Sequence, residues 1–273
     1  ARPESAAARG GRRWPDCVSP ATRSAFSTPV ELLRFLEHLR TLSGGKPTGF
    51  KLAIGHPWEW FAIAKAMRET GIVPDFIVVD GKEGGTGAAP AEFIDRLGTP
   101  MQDALRLVHD TLVGLGLRGQ VRIGAAGKLT SGFDIVRTMA LGADWCNSAR
   151  GFMFALGCIQ AMNCHTGRCP TGVATQDPLR QRALVVDDKA QRVFNFHRNT
   201  LVALAELVAA AGLTHPSQLR AHHIVRRGTP NEIRLLSTLH PPMQPGALLD
   251  GTAEGPVYRM FWSKARPDSF SAA

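Results

Sequence analysis

The sequence has no apolar run close to the roughly 20 residues that span a bilayer; charges interrupt its longest apolar stretches within a few positions. Its first segment, ARPESAAARGGRRWPDC, lacks the apolar centre of a secretory signal. An initiator Met is also missing, as expected of a fragment or a processed chain. There is one Tyr in 273 residues, and no stretch interleaves aromatic with basic side chains. The excess of 32 Lys and Arg over 23 Asp and Glu, a net charge of +9, is dispersed, with small clusters at Arg9, Arg12 and Arg13 and at Arg220, Arg226 and Arg227. That charge reads as solvated surface rather than a nucleic-acid interface. The even, spread set of cysteines of a secreted disulfide scaffold is absent too: there are five, three of them bunched. This points to a reducing compartment, expected to be the cytoplasm, and to a metal or cluster site.

With 44% hydrophobic and 20% charged residues, the composition is that of one large or two small globular domains. Residues 1–27 read as irregular. Thr28-Pro29-Val30-Glu31 is a capping box with Pro at the first helical position. It opens a helix with Leu32, Phe35, Leu36, Leu39 and Leu42 at helical spacing, closed by Gly44-Gly45. A strand is expected at 49–54, a helix from Pro57 to Gly71, and a strand at 75–80 that is apolar on both faces, the mark of a buried parallel strand. A glycine-rich loop follows at 81–88. Then come a helix at 101–117, a strand at 121–125, a helix from Ser131 to Gly142 and a strand at 143–147. A long helix is expected from about Asp188 to Ala211, with Val193, His197, Thr200, Leu204, Leu207 and Ala211 on one face. Beyond Thr214 the chain reads as a Pro- and Arg-rich tail that packs on the domain.

Strands alternating with helices require a parallel sheet, open or closed into a (β/α)8 barrel. The G-x-G-x-x-G turn of the open doubly wound sheet is missing. Small-residue turns instead follow the last three strands, at 81–88, 126–128 and 147–151, where a barrel builds its site. Only four strands are visible, so the fold expected is an α/β barrel represented by its second half, with a C-terminal helical extension. The corresponding division is 1–27 irregular, 28–176 half-barrel with cysteine segment, 177–230 helical extension and 231–273 tail. A separate chain is a candidate source of the first half.

Cys158, Cys164 and Cys169 are spaced C-x5-C-x4-C and followed by Pro170. A helical segment through Cys158 and Cys164 and a loop reaching Cys169 could aim three thiolates at one centre. An iron–sulfur cluster, a zinc ion and plain buried cysteines remain open on spacing alone, with iron–sulfur favoured. His165 is a candidate fourth ligand or a hydrogen-bonding neighbour. Cys17 and Cys146 read as structural.

GGTGA at 84–88, GCIQAMNCHTGRCPTGVATQ at 157–176 and the strand around Lys51 resemble the FMN-binding synthase domain of glutamate synthase, most closely its stand-alone form, over residues 17–230. The resemblance implies a (β/α)8 barrel holding FMN and a 3Fe-4S cluster on Cys158, Cys164 and Cys169. It implies a catalytic, flavin-side Lys51 and cofactor contacts from Gly84, Gly85, Thr86 and Gly87. Gly127 and Ser148, Ala149, Arg150 and Gly151 match phosphate-holding turns. Glu83 is a candidate to orient substrate or loop, or a solvated carboxylate. The activity implied is reduction of 2-iminoglutarate, from 2-oxoglutarate and ammonia, to L-glutamate, with electrons from ferredoxin or a reductase subunit. The chain departs from the long enzymes in reading GAAGKL where they carry a Gly-Gly pair, and in holding no amidotransferase segment. Rival expectations are action on another 2-oxo or imino acid, or a non-catalytic electron-transfer or structural module.

Overall fold

The computed structural model describes residues 24–84, 89, 92–228 and 232–273. Most of the segment expected to be irregular at 1–27, Cys17, and Gly85, Thr86, Gly87 and Ala88 lie outside the described residues. Helix α1, Pro29–Leu42, starts at the capping box: Thr28 Oγ1 accepts from Glu31 N at 3.1 Å and Glu31 Oε2 accepts from Thr28 N at 3.1 Å. Its buried face is Leu32, Leu33 and Leu36. Leu39 and Leu42, assigned to that face by spacing, are 37% and 69% exposed.

Four parallel strands follow: β1 Gly49–Leu52, β2 Phe76–Asp80, β3 Arg122–Ala126 and β4 Trp145–Asn147. Their spatial order is β1-β2-β3-β4, the sequence order. A doubly wound sheet would reverse order at a switch point. A singly wound one with right-handed crossovers keeps every helix on one side, which is the arrangement of four consecutive strands of a (β/α)8 barrel. Ile77 and Val79 are fully buried and Val78 is nearly so, so β2 is covered on both faces. β1 stops two residues early because the Ile54 carbonyl turns to accept from Thr99 N. β4 starts two residues late because Ala143 N still donates to Thr138 O of the preceding helix.

The crossover helices are α2 Pro57–Thr70, α3 Met101–Gly114 and α4 Gly132–Ala140. Trp60, Phe61, Ile63, Ala64 and Met67 of α2 are buried, and Gly71, at φ 69°, ends the helix in the left-handed region. α3 ends three residues before the sequence suggests, with Leu115 as its cap and Gly116 at φ 69°. α4 opens on Ser131, whose Oγ accepts from Asp134 N at 3.2 Å. Burial favours the neutral Asp134 carboxyl, but hydrogen bonds from Thr130 and Ser131 outweigh it and hold the group below its usual range. A depressed carboxyl stabilises the fold above its unfolded pKa, and that stability is lost as pH falls through the lower folded value. Asp134→Asn is therefore expected to cost about 1 kcal/mol at most at neutral pH. The gap from wild type should close below the ordinary aspartate range, as read by urea melts across acid pH.

α5 Arg150–Leu156 ends at Gly157, φ 110°. The expected helical segment through Cys158 and Cys164 is therefore not formed. Gln160 and Met162, both at φ 55°, keep the chain irregular up to a single 3-10 turn at Cys164–Thr166. After α6 Pro178–Gln181, the long helix α7 Val186–Ala210 packs on α4 and α5. Phe196 meets Phe152 at 5.2 Å, and a Cβ on Gly132 would come within 3.0 Å of Leu204 N, so the helix lies close over α4. The expected face is met at Val193, Thr200, Leu204 and Leu207, which are half-buried, while its other members His197 and Ala211 are exposed and Val208 is the buried residue.

The C-terminal stretch holds a short antiparallel pair that the sequence reading did not anticipate, β5 Val225–Arg227 with β6 Ile233–Leu235, straddling position 230. Helices α8 Leu236–Leu239 and α9 Pro256–Phe261 follow. α9 and the residue after it clasp α2. Phe61 meets Tyr258 at 5.3 Å and Trp262 at 5.2 Å, and Lys65 Nζ donates to the carbonyls of Trp262 and Ala265.

Candidate functional site at the carboxyl ends of the strands

Register builds the site. Asp80 pairs with Ala126 and Ala126 with Asn147, so the chain leaves all three strands at one level. The next residues are Gly81-Lys82 after β2 and Gly127-Lys128 after β3, the same dipeptide on neighbouring strands. Gly127 sits at φ 108°, and a Cβ there would lie 3.0 Å from Gly81 Cα, so the two turns touch through backbone. Gly127 N donates to Asn147 O, and Ser148 Oγ donates to Leu129 O at 2.6 Å, fixing the third turn to the second.

These turns floor a cavity of about 490 Å3. Gly127, Ala149 and Arg150 line it together with Cys158, Cys164 and Cys169. The cysteine segment thus folds back over the strand ends, as a loop rather than a helix. Its rim is apolar: Ile159 is 65% and Met162 51% exposed. All three cysteines are free thiols. Cys158 and Cys164 are half-buried; Cys169 is buried. Burial alone would raise the Cys169 thiol, but Thr171 Oγ1 and the N–H groups of Ala174, Thr171 and Val173 surround the sulfur and bring it down to about 7. Cys146, on β4, is the opposite case: burial pushes its thiol up to about 12, so it stays protonated and inert. His165 is exposed and does not line the cysteine cavity.

Lys82, Lys128 and Arg150 line the cavity against one carboxylate, Asp95. Burial, then the nearby Arg150, hold the Lys82 amine below its usual value. Burial works against charge on Lys128, yet Glu83 and then Asp95 outweigh it and hold its ammonium above the usual value. Glu83 is not solvated: it is 4% exposed, and its Oε1 accepts from Lys128 Nζ at 2.7 Å and from Met101 N at 3.0 Å. It ties the loop after β2, the turn after β3 and the start of α3 together. Glu83 and Lys128 hold left-handed backbone, at φ 53° and 58°, a conformation that costs energy in non-glycine residues and marks a constrained loop.

Lys51 does not line this cavity. Its Nζ lies 3.1 Å from Asp80 Oδ1, which also accepts from Lys82 N at 3.2 Å, so one carboxylate links it to the cavity wall. Gly84, at φ 97°, lies against Leu97. Gly151 is buried under the Phe196 ring, and neither it nor Ser148 faces the cavity. The site residues that the sequence reading passed over are Lys82, Lys128 and Asp95. The repeated Gly-Lys after adjacent strands was their one visible signal.

Among the described residues, no three His, Cys, Asp or Glu side chains group to hold a single ion. A cluster differs from an ion: each cysteine ligates a different iron, so the sulfurs need to line one cavity rather than meet at a point. Three free thiols lining one cavity, one with a stabilised thiolate, fit such a group. The touching Gly81 and Gly127 backbones and three cations, Lys82, Lys128 and Arg150, against the two carboxylates Glu83 and Asp95 fit a phosphate-bearing cofactor. No helix among the described residues is long and apolar enough to cross a membrane.

A parallel half-barrel with a thiol- and cation-lined cavity over its strand ends defines an α/β protein of cofactor-binding type. Residues 2–214 match the family described as a conserved region in glutamate synthase. The chain belongs to that family. It is 46% identical over 209 residues to the glutamate synthase large subunit-like protein YerD of Bacillus subtilis (strain 168), covering 77% of this chain and 40% of that protein. It is 33% identical over 214 residues to the archaeal glutamate synthase (NADPH) of Methanocaldococcus jannaschii, covering 78% and 41%. The chain thus spans well under half the length of these relatives. The flavin-binding domain of baker's yeast flavocytochrome b2 aligns over 93% of this chain and 48% of its own, at 12% identity and a TM-score of 0.44, a likeness too slight to argue from.

Proposed function

We propose that the chain forms the C-terminal half of an FMN- and iron–sulfur-dependent oxidoreductase of glutamate synthase type. The reaction is reduction of 2-iminoglutarate, formed from 2-oxoglutarate and ammonia, to L-glutamate, with electrons from ferredoxin or a reductase partner. The observation that carries this reading is the shared cavity: Cys158, Cys164 and Cys169 line it together with Gly127, Ala149 and Arg150 at the carboxyl ends of a singly wound parallel sheet. When bound, the flavin and cluster supply the two electrons that the C=N bond takes up with two protons. The protein's own part is binding and electrostatics. The three cysteines hold the cluster. Lys82, Arg150 and Lys128 neutralise the cofactor phosphate over the touching glycines. Lys51, held by Asp80, adds positive charge for a substrate carboxylate. The remaining strands come from a further part of the protein or from a separate chain.

The test combines the chain with a separately expressed first half and measures glutamate from 2-oxoglutarate and ammonium under a reducing donor. Cofactor-loaded protein that forms no glutamate, while turning over another 2-oxo acid, would replace the substrate assignment. Lys51→Ala in that complex is expected to slow turnover roughly 100-fold with cluster iron unchanged; wild-type rates would remove Lys51 from the site. A second reading, a non-catalytic electron-transfer module, has one observation in its favour: Lys51 stands outside the cysteine-lined cavity. Stable cluster with no flavin retention in the complex would select it.

A further inference from the structure

A second cavity lies at the opposite end of the sheet. It encloses about 650 Å3, the size of a small-ligand site. Its wall includes Arg122, the first residue of β3, and Gly142 to Asp144, which lead into β4. The amino-terminal face of a barrel serves stability rather than chemistry, so catalysis does not account for a built pocket there.

Its composition is lopsided. Arg106, Arg118, Arg122 and Arg220 line it, with His109, His222 and His240. The carboxylates that answer them are Asp110, on Arg106 at 2.6 Å, and Asp144, on Arg118 at 2.9 Å and Arg122 at 3.6 Å. Asp103 acts on His240 as a third carboxylate, so four guanidiniums face three carboxylates, an excess of one positive charge before any histidine is counted. The Arg220 guanidinium donates to the Ser217 and Leu219 carbonyls, which carry no net charge. Arg106 is 8% exposed, and its buried Nε–H has no acceptor; the Arg118 Nε–H is in the same position. Buried donors without partners are rare and costly. Burial and then Arg106 hold His240 below its usual pKa, against the opposing pull of Asp103 and Asp110. Met139, Ala140 and Leu219 supply an apolar wall.

We infer that this cavity binds an organic dianion, a phosphate ester or a dicarboxylate of small-metabolite size, at the face opposite the cofactor site. Arginines arranged around apolar wall suit either group, since the guanidinium fork pairs with phosphate and carboxylate alike. The inference does not rest on the reaction proposed above.

The experiment is calorimetric titration of the full chain at low salt with AMP, with 2-oxoglutarate and with inorganic phosphate. Binding of AMP or of 2-oxoglutarate is expected, and which of the two binds names the source. Arg220→Gln, on an exposed position, should weaken it roughly tenfold or more while leaving the melting temperature unchanged. Raising ionic strength should weaken it further. Arg150→Gln, in the cysteine cavity, should leave it intact. The absence of heat with all three probes at millimolar concentration would overturn the inference. So would binding that Arg150→Gln abolishes and Arg220→Gln spares.

Discussion

Cys164→Ser is expected to strip the protein of cluster iron. Serine keeps the shape of the side chain but replaces a thiol by an alcohol that does not ionise near neutral pH, so it cannot serve as a thiolate ligand. Outer-shell changes alone cost 10–100-fold in metal affinity, so loss of a ligand should weaken cluster binding by roughly 100-fold or more and leave bound iron and acid-labile sulfide well below wild type. Cys164 is half-buried in the loop and contributes to no strand or buried core cluster, so the fold should survive. Cys146→Ser is the matched control: that thiol is half-buried on β4 and held protonated, and iron content should not change. Iron retained in Cys164→Ser, or lost in Cys146→Ser, would move the site elsewhere.

Gly127→Ala is expected to damage both stability and cofactor retention. At φ 108° an alanine is strained wherever it sits, and here its Cβ would also press to 3.0 Å on Gly81 Cα, which is backbone and has no rotamer through which to yield. Together these should cost about 3 kcal/mol, a drop of about 6–12 °C in melting temperature for a chain of this size. The two turns would part at the cavity floor, so retention of a phosphate-bearing cofactor should fall with stability. A variant as stable as wild type would show that the turns do not touch.

Local chemistry made much of this legible in advance. The capping box at Thr28 and Glu31, the Gly71 stop and the two-sided apolar strand at 76–80 are decided within a few residues, and they formed. The spacing of Cys158, Cys164 and Cys169 suggested one centre, and the structure brings all three to the lining of one cavity. What escaped depends on partners far along the chain. Gly157 halts α5 before Cys158, a choice that helical spacing of later residues could not reveal. Leu39 and Leu42 have helical spacing but find no buried surface to cover. Lys82 and Lys128 meet only through the register of β2 on β3, and Glu83 is buried only because Lys128 and Met101 come to it. The strands at 225–227 and 233–235 have three residues each and are exposed throughout, too short for alternation to register.

The central claim is that Cys158, Cys164 and Cys169 together hold one iron–sulfur group over the strand ends. Its most direct test is thiol alkylation of the anaerobically reconstituted chain, read by peptide mass with and without bound iron. Iron is expected to protect Cys158, Cys164 and Cys169 as a set, and chelation to expose all three together. Equal labelling of the three in the iron-loaded and iron-free protein, or protection of one without the others, would contradict it.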